Sequence, residues 1–341
     1  MALILFAPNV HNGGGRVLLE ALDQACGVSF DQAILDQRLG RVSRAFMHVA
    51  TLYVQNRLLS RLYAEWHLWR SARQGDTVLC LHSLPPLLPL NARVVVLMQN
   101  RLMLERGSLC GFPWTIRLRI TVECLWATLL QKRCTRYLVQ TPSMAAVIRR
   151  WLRWQVPVVV VPFAPASTAD SYPSDVYSLK RYEFVYVASG EAHKNHHNLL
   201  HAWRLLADAG LSPSLALTID SRVYSELAQE IERHSRELGL NIVNLGVLAQ
   251  PEVTQLYLSA RALVFPSRTE SFGLPLIEAT QHGLPIIASE LDFVRDVANP
   301  VETFDAASPT SIARAIRRFL GHPEHPVVIC SGETFIDEVL K

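Results

Sequence analysis

Two carboxylates stand close together in an otherwise apolar stretch. In FPSRTESFGLPLIEATQHGLPIIAS, residues 265–289, seven residues separate Glu270 from Glu278, and Ser271 is the only polar one among them. A carboxylate can accept two hydroxyl hydrogens, as a ribose or hexose diol offers. Pro275 suits the first turn of a helix, where its missing N–H costs nothing. The pattern predicts a buried strand (262–267), a loop carrying Glu270, and a helix from Leu276 to about His282 that stops at Gly283. Glu278 then falls in the first helical turn. The backbone N–H groups of Phe272, Gly273 and Leu274 point towards the helix start, where free donors and the dipole favour an anion such as a diphosphate. Phosphate on N–H groups and sugar hydroxyls on carboxylates would suit a nucleotide-sugar. Equally, Glu278 could simply offset the dipole while Glu270 is solvated. The residues alone leave both open.

The elements needed to position such a loop recur along the chain. Short apolar runs at 2–8, 77–82, 93–100, 136–141 and 156–163 read as buried strands. A second series follows at 182–190, 215–220, 241–246, 262–267 and 285–289. Strands alternating with helical stretches imply parallel sheets wound with helices. The Ser-, Pro- and Asp-rich segment 164–175 breaks both periodicities and marks a linker. The expected fold class is α/β, with two Rossmann-like domains, 1–165 and 166–341, facing across a cleft. Ligands in such sheets sit beyond the carboxyl ends of the strands.

The chain has 341 residues, half of them hydrophobic, so a large core is expected. The start, MALILFAPNV, lacks a basic n-region and a small-residue cleavage site, and no run reaches the length of a spanning helix. The expected location is therefore cytoplasmic. Six scattered cysteines form no CxxC pair, which argues for reduced thiols rather than disulfides or zinc. Residues 1–165 carry 19 Lys and Arg against 8 Asp and Glu; residues 166–341 carry 14 against 22. Net charges of +11 and −8 suggest an anionic partner for the first half or, equally, a solvated basic face or one that pairs with the second.

Two segments of the basic half look amphipathic. In 43–73, Phe46, Ala50, Val54, Leu58, Leu62 and Trp66 recur at i+4, accompanied by Arg44, Arg57, Arg61, Arg70 and Arg73. In 115–136, Leu118, Val122, Leu125 and Leu129 form a stripe beside Trp126, with Arg117, Arg119, Lys132, Arg133 and Arg136 near its ends. Taken singly, each is favoured as a helix with its stripe facing the core. The charge excess of the whole half raises the other reading, an anionic membrane surface met by a peripheral protein.

The opening segment resembles the donor-site signature of retaining GT-B glycosyltransferases of family 4: Pro-Ser, Glu, a small residue, Phe-Gly-Leu-Pro, Glu, then Gly-x-Pro and a strand. NLGVLAQPEVTQLYLSARALVFPS (244–267) and FVYVASGEAHKNHHNLLHAW (184–203) extend the likeness, which covers about 180–320. The resemblance implies that Glu278 binds the nucleotide ribose. It places Glu270 by the donor sugar, beside Ser271 and the N–H groups of Phe272, Gly273 and Leu274. It gives Lys194 the departing diphosphate, an electrostatic role. Many members carry an arginine five residues before that lysine. Here the position is Ser189, so Lys194 and Arg268 carry more of the diphosphate clamp. In HNGGGRVLL (11–19), Gly14 and Gly15 would form the first domain's glycine loop, approaching donor or acceptor. The family needs no metal and no cofactor beyond its nucleotide-sugar substrate. Its usual proposal is front-face attack, with the leaving phosphate taking the acceptor proton.

Further candidates rest on position. His82, Gln99 and Asn100 end first-domain strands at the cleft side and could touch acceptor or donor sugar, although a structural role for His82 is as well supported. HKNHH (193–197) invites a metal reading, but no Cys or acidic set completes a site. A dinucleotide fingerprint is missing, against an oxidoreductase, and the cations form no nucleic-acid motif. The leading expectation is a hexosyl-type retaining, metal-independent transferase. It would act on a glycan or polyprenyl-linked acceptor in surface polysaccharide biosynthesis. A non-catalytic relative that binds sugar-nucleotide or a partner protein is the alternative.

Overall fold

The computed structural model describes residues 2–24, 30–40, 49–105, 112–164 and 180–323. Seven strands form one sheet: β1 (Leu3–Ala7), β2 (Gln32–Asp36), β3 (Ala50–Val54), β4 (Thr77–Cys80), β5 (Arg93–Leu97), β6 (Arg136–Val139) and β7 (Val158–Val160), in the order β3-β2-β1-β4-β5-β6-β7. Six form another: β8 (Tyr182–Tyr186), β9 (Leu215–Leu217), β10 (Ile242–Asn244), β11 (Ala260–Phe265), β12 (Ile286–Ser289) and β13 (Glu302–Phe304), in the order β10-β9-β8-β11-β12-β13. All pairings are parallel; Phe6 lies between Ile34 and Cys80, and Leu263 between Val185 and Ile286.

The helices of the first half are α1 (Gly13–Gln24), α2 (Leu58–Ser71), α3 (Arg101–Leu104), α4 (Trp114–Leu129) and α5 (Pro142–Trp151). Those of the second are α6 (His196–Asp208), α7 (Ser225–Glu237), α8 (Gln250–Leu258), α9 (Leu274–Gln281), α10 (Asp292–Arg295) and α11 (Pro309–Phe319). Their starts follow local chemistry. Thr141 accepts from the Met144 N–H with Pro142 opening α5, and Ser308 accepts from the Ser311 N–H with Pro309 opening α11. Helices cover both faces of each sheet, so central strands are apolar beyond their first residues, where Arg93 of β5 and Arg261 of β11 stay exposed. Val94, Val96 and Leu97 of β5 are buried, as are Leu263, Val264 and Phe265 of β11. In the second half Trp203 and Leu199 of α6 share a core with Ile312 and Ile316 of α11.

The structure corrects two expectations. The i+4 series through 43–73 is not one helix: Ala50–Val54 is strand β3, beside the unforeseen β2, and α2 begins only at Leu58. Ala-Thr-Leu-Tyr-Val is β-branched and aromatic, and residues spaced by four also share a strand face. In α4 the stripe Leu118, Val122, Leu125 and Leu129 faces outward, while Ile120, Cys124 and Ala127 face the core. Strand β13 also went unforeseen. Cys80, Cys124 and Cys134 are buried. Phe46, Arg44, Cys26, Cys110, Cys330 and the domain boundary at 165/166, with nearly all of the expected linker, lie outside the described residues. Among the described residues no helix is long and apolar enough to cross a membrane.

The halves meet along the carboxyl ends of their strands. Ser143 N–H, in the first turn of α5, donates to Asp296 at 2.8 Å. Thr141 Oγ1 donates to the Ser271 carbonyl at 3.4 Å, and Phe112 stacks on His193.

Candidate active site

The turn after β8 places the lysine. Ala192–Lys194 make one 3-10 turn, and Asn195 then takes a left-handed conformation, φ 65°, which asparagine tolerates. The Asn195 amide donates to the carbonyls of Pro266 and Ala306, at 3.0 and 2.7 Å, tying this turn to the ends of β11 and β13. Tyr186 OH donates to the Lys194 carbonyl at 2.9 Å and lies 3.3 Å from Ser267 Oγ.

These braces bring Lys194 onto Glu270. Lys194 Nζ donates to Glu270 Oε1 at 2.7 Å, and Ser267 Oγ donates to the same oxygen at 2.6 Å. Both charged side chains are largely enclosed, 17% and 12% exposed. Oε2 of Glu270 has no protein donor among the described residues, which leaves it for a ligand hydroxyl. Arg101 of α3 reaches the Glu270 carbonyl from the other half, at 3.5 Å. Arg268 donates its backbone N–H to the His193 carbonyl, and its exposed side chain makes no ion pair among the described residues. Burial, then the Lys194 charge, pushes the His193 pKa down, and its Nδ1 is enclosed without a partner.

Gly273 holds φ 76° at the start of α9, where a residue with a Cβ would be strained. The N–H groups of Phe272, Gly273 and Leu274 meet no acceptor among the described residues. Because α9 starts at Leu274, two residues earlier than expected, Glu278 is the fifth helical residue and lies in the second turn. Gln250 Nε2 donates to Glu278 Oε1 at 3.2 Å, and Tyr257 OH donates to Oε2 at 2.8 Å. Each oxygen keeps lone pairs for a diol. Burial raises the Glu278 pKa, and the two hydrogen bonds pull it back only in part.

The first half contributes Gly14 and Gly15, in the first turn of α1. A Cβ on Gly14 would lie 3.4 Å from Leu274 Cδ1 across the interface, and one on Gly15 would lie 3.2 Å from Val10 and 3.6 Å from Gln99 Oε1. Gln99 donates from Nε2 to the Leu81 carbonyl and from its backbone to Ser83 Oγ. His82 Nδ1 lies 3.2 Å from the Phe6 carbonyl, and enclosure pushes its pKa down to about 4. Asn100 flanks α3 without a side-chain capping bond. His82 and Gln99 thus brace the ends of β4 and β5. Ser189 stands where the arginine was expected: its hydroxyl donates to Glu191, and its carbonyl meets His196 Nε2 at 2.8 Å. Burial pushes the His196 pKa down to about 4. His197 pairs with Glu230 at 2.8 Å. Among the described residues no three His, Cys, Asp or Glu side chains are placed to hold a metal ion.

Tyr186, Asn195, Ser267, Tyr257, Gln250 and Arg101 were not foreseen. Ser267 and Asn195 sit within the motif segments, so their nearness to Glu270 and Lys194 was a usable signal. Nothing in the sequence says that Tyr257 reaches Glu278 across 21 positions.

With this geometry in place, the second half can be compared with known proteins. Residues 175–329 match the family model for glycosyl transferases group 1. The group 1 match covers the lysine turn, both glutamates and α11, rather less than half of the chain. The serotype-specific mannosyltransferase WbdA of Escherichia coli is 30% identical over 138 residues, 40% of this chain and 17% of the relative. The chain thus spans a small part of that relative's length. HepE from Anabaena, solved in complex with UDP and glucose, superposes with a TM-score of 0.65 at 16% identity, over 94% of this chain and 90% of that one. WaaG, a glycosyltransferase involved in lipopolysaccharide biosynthesis, gives 0.67 at 16% identity, over 93% and 90%. At such identities these likenesses establish the fold, which is the two-sheet GT-B arrangement.

Proposed function

We propose that the protein transfers a hexose from a nucleotide-sugar to a glycan or polyprenyl-linked acceptor in surface polysaccharide assembly, with retention at the anomeric carbon and without a metal ion. One observation carries the reading: an enclosed, doubly hydrogen-bonded Glu278 and the enclosed Lys194–Glu270 pair flank a row of N–H groups at the start of α9 that meet no acceptor among the described residues. Glu278 would accept the ribose hydroxyls, and Glu270 a hydroxyl of the transferred sugar through Oε2. Phe272, Gly273 and Leu274 would donate to the phosphates, with Lys194 and Arg268 supplying positive charge as the diphosphate departs. The bond from C1 to the diphosphate breaks, the acceptor oxygen bonds C1 from the same face, and its proton goes to the leaving phosphate oxygen. Such a step needs no second carboxylic acid. The group 1 match, a relative named as a mannosyltransferase and a structural neighbour solved with UDP and glucose support the reading.

The test is release of free nucleotide from a nucleotide-sugar panel, with and without EDTA. Wild-type turnover unchanged by EDTA is expected. Glu278→Ala should bind the donor about tenfold more weakly, or worse. Equal donor binding by variant and wild type would overturn the donor-site assignment, and binding without turnover would favour the non-catalytic alternative.

The outward stripe of α4 supports a peripheral position on the inner face of the membrane. Trp114, Leu118, Val122, Leu125 and Leu129 are all exposed, with Arg117 and Arg119 alongside. Flotation with anionic vesicles, abolished by Leu118→Glu with Leu125→Glu, is the expected result; flotation unaffected by these changes would count against it.

A further inference from the structure

Arg61 projects from the first turn of α2 into a polar cluster at the carboxyl ends of β1 and β2. Its Nη2 donates to Asn9 Oδ1 at 2.7 Å and to Asn56 Oδ1 at 3.0 Å. Both acceptors are neutral amides. Arg38 beside it is different: the buried Asp36 carboxylate takes its Nε at 3.0 Å and its Nη2 at 2.7 Å. No carboxylate lies within 4 Å of Arg61 among the described residues, although Asp36 and Glu123 act on it through space. A guanidinium has five N–H donors in a rigid fork. With both of its bonds made from Nη2, the Nε and Nη1 hydrogens meet no acceptor among the described residues. Half-enclosed arginines normally find a carboxylate. This one keeps its charge and most of its fork unanswered.

The position gives that fork a direction. Asn9 follows β1 and precedes the glycines at the start of α1, so it belongs to the end of the sheet that faces the second half. The Arg61 charge also acts on His82, at the end of β4. Exposed apolar side chains stand on the same helix and on α4. Leu58 and Leu62, on the same helix, are 75% and 46% exposed, and Val122, next to Glu123 on α4, is 54% exposed. A charged fork at the cleft end of the sheet, with bare leucines on its own helix, suits a molecule with an anionic head and an apolar chain.

We propose that Arg61 binds a phosphate oxyanion of a lipid-linked acceptor, the lipid running over Leu58, Leu62 and Val122. This deepens the function proposed above and rests on it for the word acceptor, but not for the phosphate contact. Bidentate phosphate recognition is what a free guanidinium fork does best. Asn9 and Asn56 fix its orientation without neutralising it.

The experiment measures flotation with phosphatidylcholine vesicles, plain or doped with undecaprenyl phosphate, for wild type, Arg61→Ala and Arg61→Lys. Inorganic pyrophosphate serves as competitor, and thermal unfolding checks each fold. Doped vesicles should bind wild type at least about tenfold better than plain ones. Arg61→Ala should lose that preference, Arg61→Lys should retain part of it, and pyrophosphate should compete. A folded Arg61→Ala with the wild-type preference would overturn the proposal. So would pyrophosphate bound as tightly as the doped vesicle, since the source would then be free phosphate and not lipid. Nucleotide affinity, measured in parallel by calorimetry, separates the two readings: its absence in wild type sinks the transferase, while the Arg61 result stands on its own.

Discussion

Lys194 Nζ and Glu270 Oε1 lie 2.7 Å apart, and the same carboxylate oxygen takes the Ser267 hydroxyl. The two residues assigned to different parts of the donor are thus one ion pair, built from turns that follow β8 and β11. In the proposed transfer the pair would set where positive charge stands as a diphosphate leaves. It also means that neither group acts alone.

Removal of either partner should therefore cost nearly as much as removal of both. Lys194→Ala and Glu270→Ala are each expected to lower turnover roughly 100-fold or more. The double variant should fall little below the worse single one, because residues acting as a unit are not additive. Steady-state kinetics on the four proteins of the cycle provides the check; additive losses would show independent roles.

Tyr257→Phe isolates what holds Glu278. It removes one hydrogen bond from a carboxylate whose pKa burial already raises. Nucleotide affinity should weaken by about 1 kcal/mol, roughly fivefold and less than for Glu278→Ala. Calorimetric titration with the nucleoside diphosphate distinguishes the two.

His196 predicts a loss of stability in acid. Its folded pKa is pushed down to about 4 from an ordinary value of 6.5, so below pH 6.5 the unfolded chain binds the proton that the folded chain refuses. Its contribution is fully present above about pH 6.5 and declines as pH falls through the window to about 4, with a limiting slope of about 1.4 kcal/mol per pH unit. His196→Gln, which can still meet the Ser189 carbonyl, should flatten the urea midpoint against pH in that window.

Glu65 has the opposite sign. Burial pushes its carboxyl up to about 7, while the Leu87 N–H donates to it at 2.8 Å. Here the folded chain holds the proton more tightly, so stability is present below about pH 4.5 and is lost as pH rises through 7. Glu65→Gln keeps the acceptor without the charge. Relative to wild type it should be more stable at pH 8 than at pH 5, measured by denaturant midpoints.

Gly190→Ala tests the turn that precedes the lysine. The added Cβ would lie 2.5 Å from the Tyr224 ring, closer than van der Waals contact allows. A loss of about 1–3 kcal/mol is expected, and Tyr224→Ala in the same chain should recover part of it, as thermal unfolding would show.

Much of this was legible in order along the chain. Buried strands announce themselves as short apolar runs, because a parallel sheet covered on both faces has no polar side to display. Glu270, Gly273, Pro275 and Glu278 were placed by turn and helix chemistry that acts over a few residues, with Glu278 out by one turn. Where two periodicities share a spacing, as in Ala50–Val54, the sequence was ambiguous and packing chose the strand.

By itself, then, the sequence determined the α/β class, the motif segments and the basic character of the first half, since composition, periodicity and local turn chemistry are written in neighbouring residues. The tertiary structure alone decided which side chains meet. Lys194 finds Glu270 across 76 positions, Tyr257 finds Glu278 across 21, and Arg61 finds Asn9 across 52. It also decided that the α4 stripe faces outward, because the core site was already filled by Ile120, Cys124 and Ala127. Such pairings follow from strand order and helix placement, which bring distant residues together at the sheet ends and leave no mark on the spacing between them.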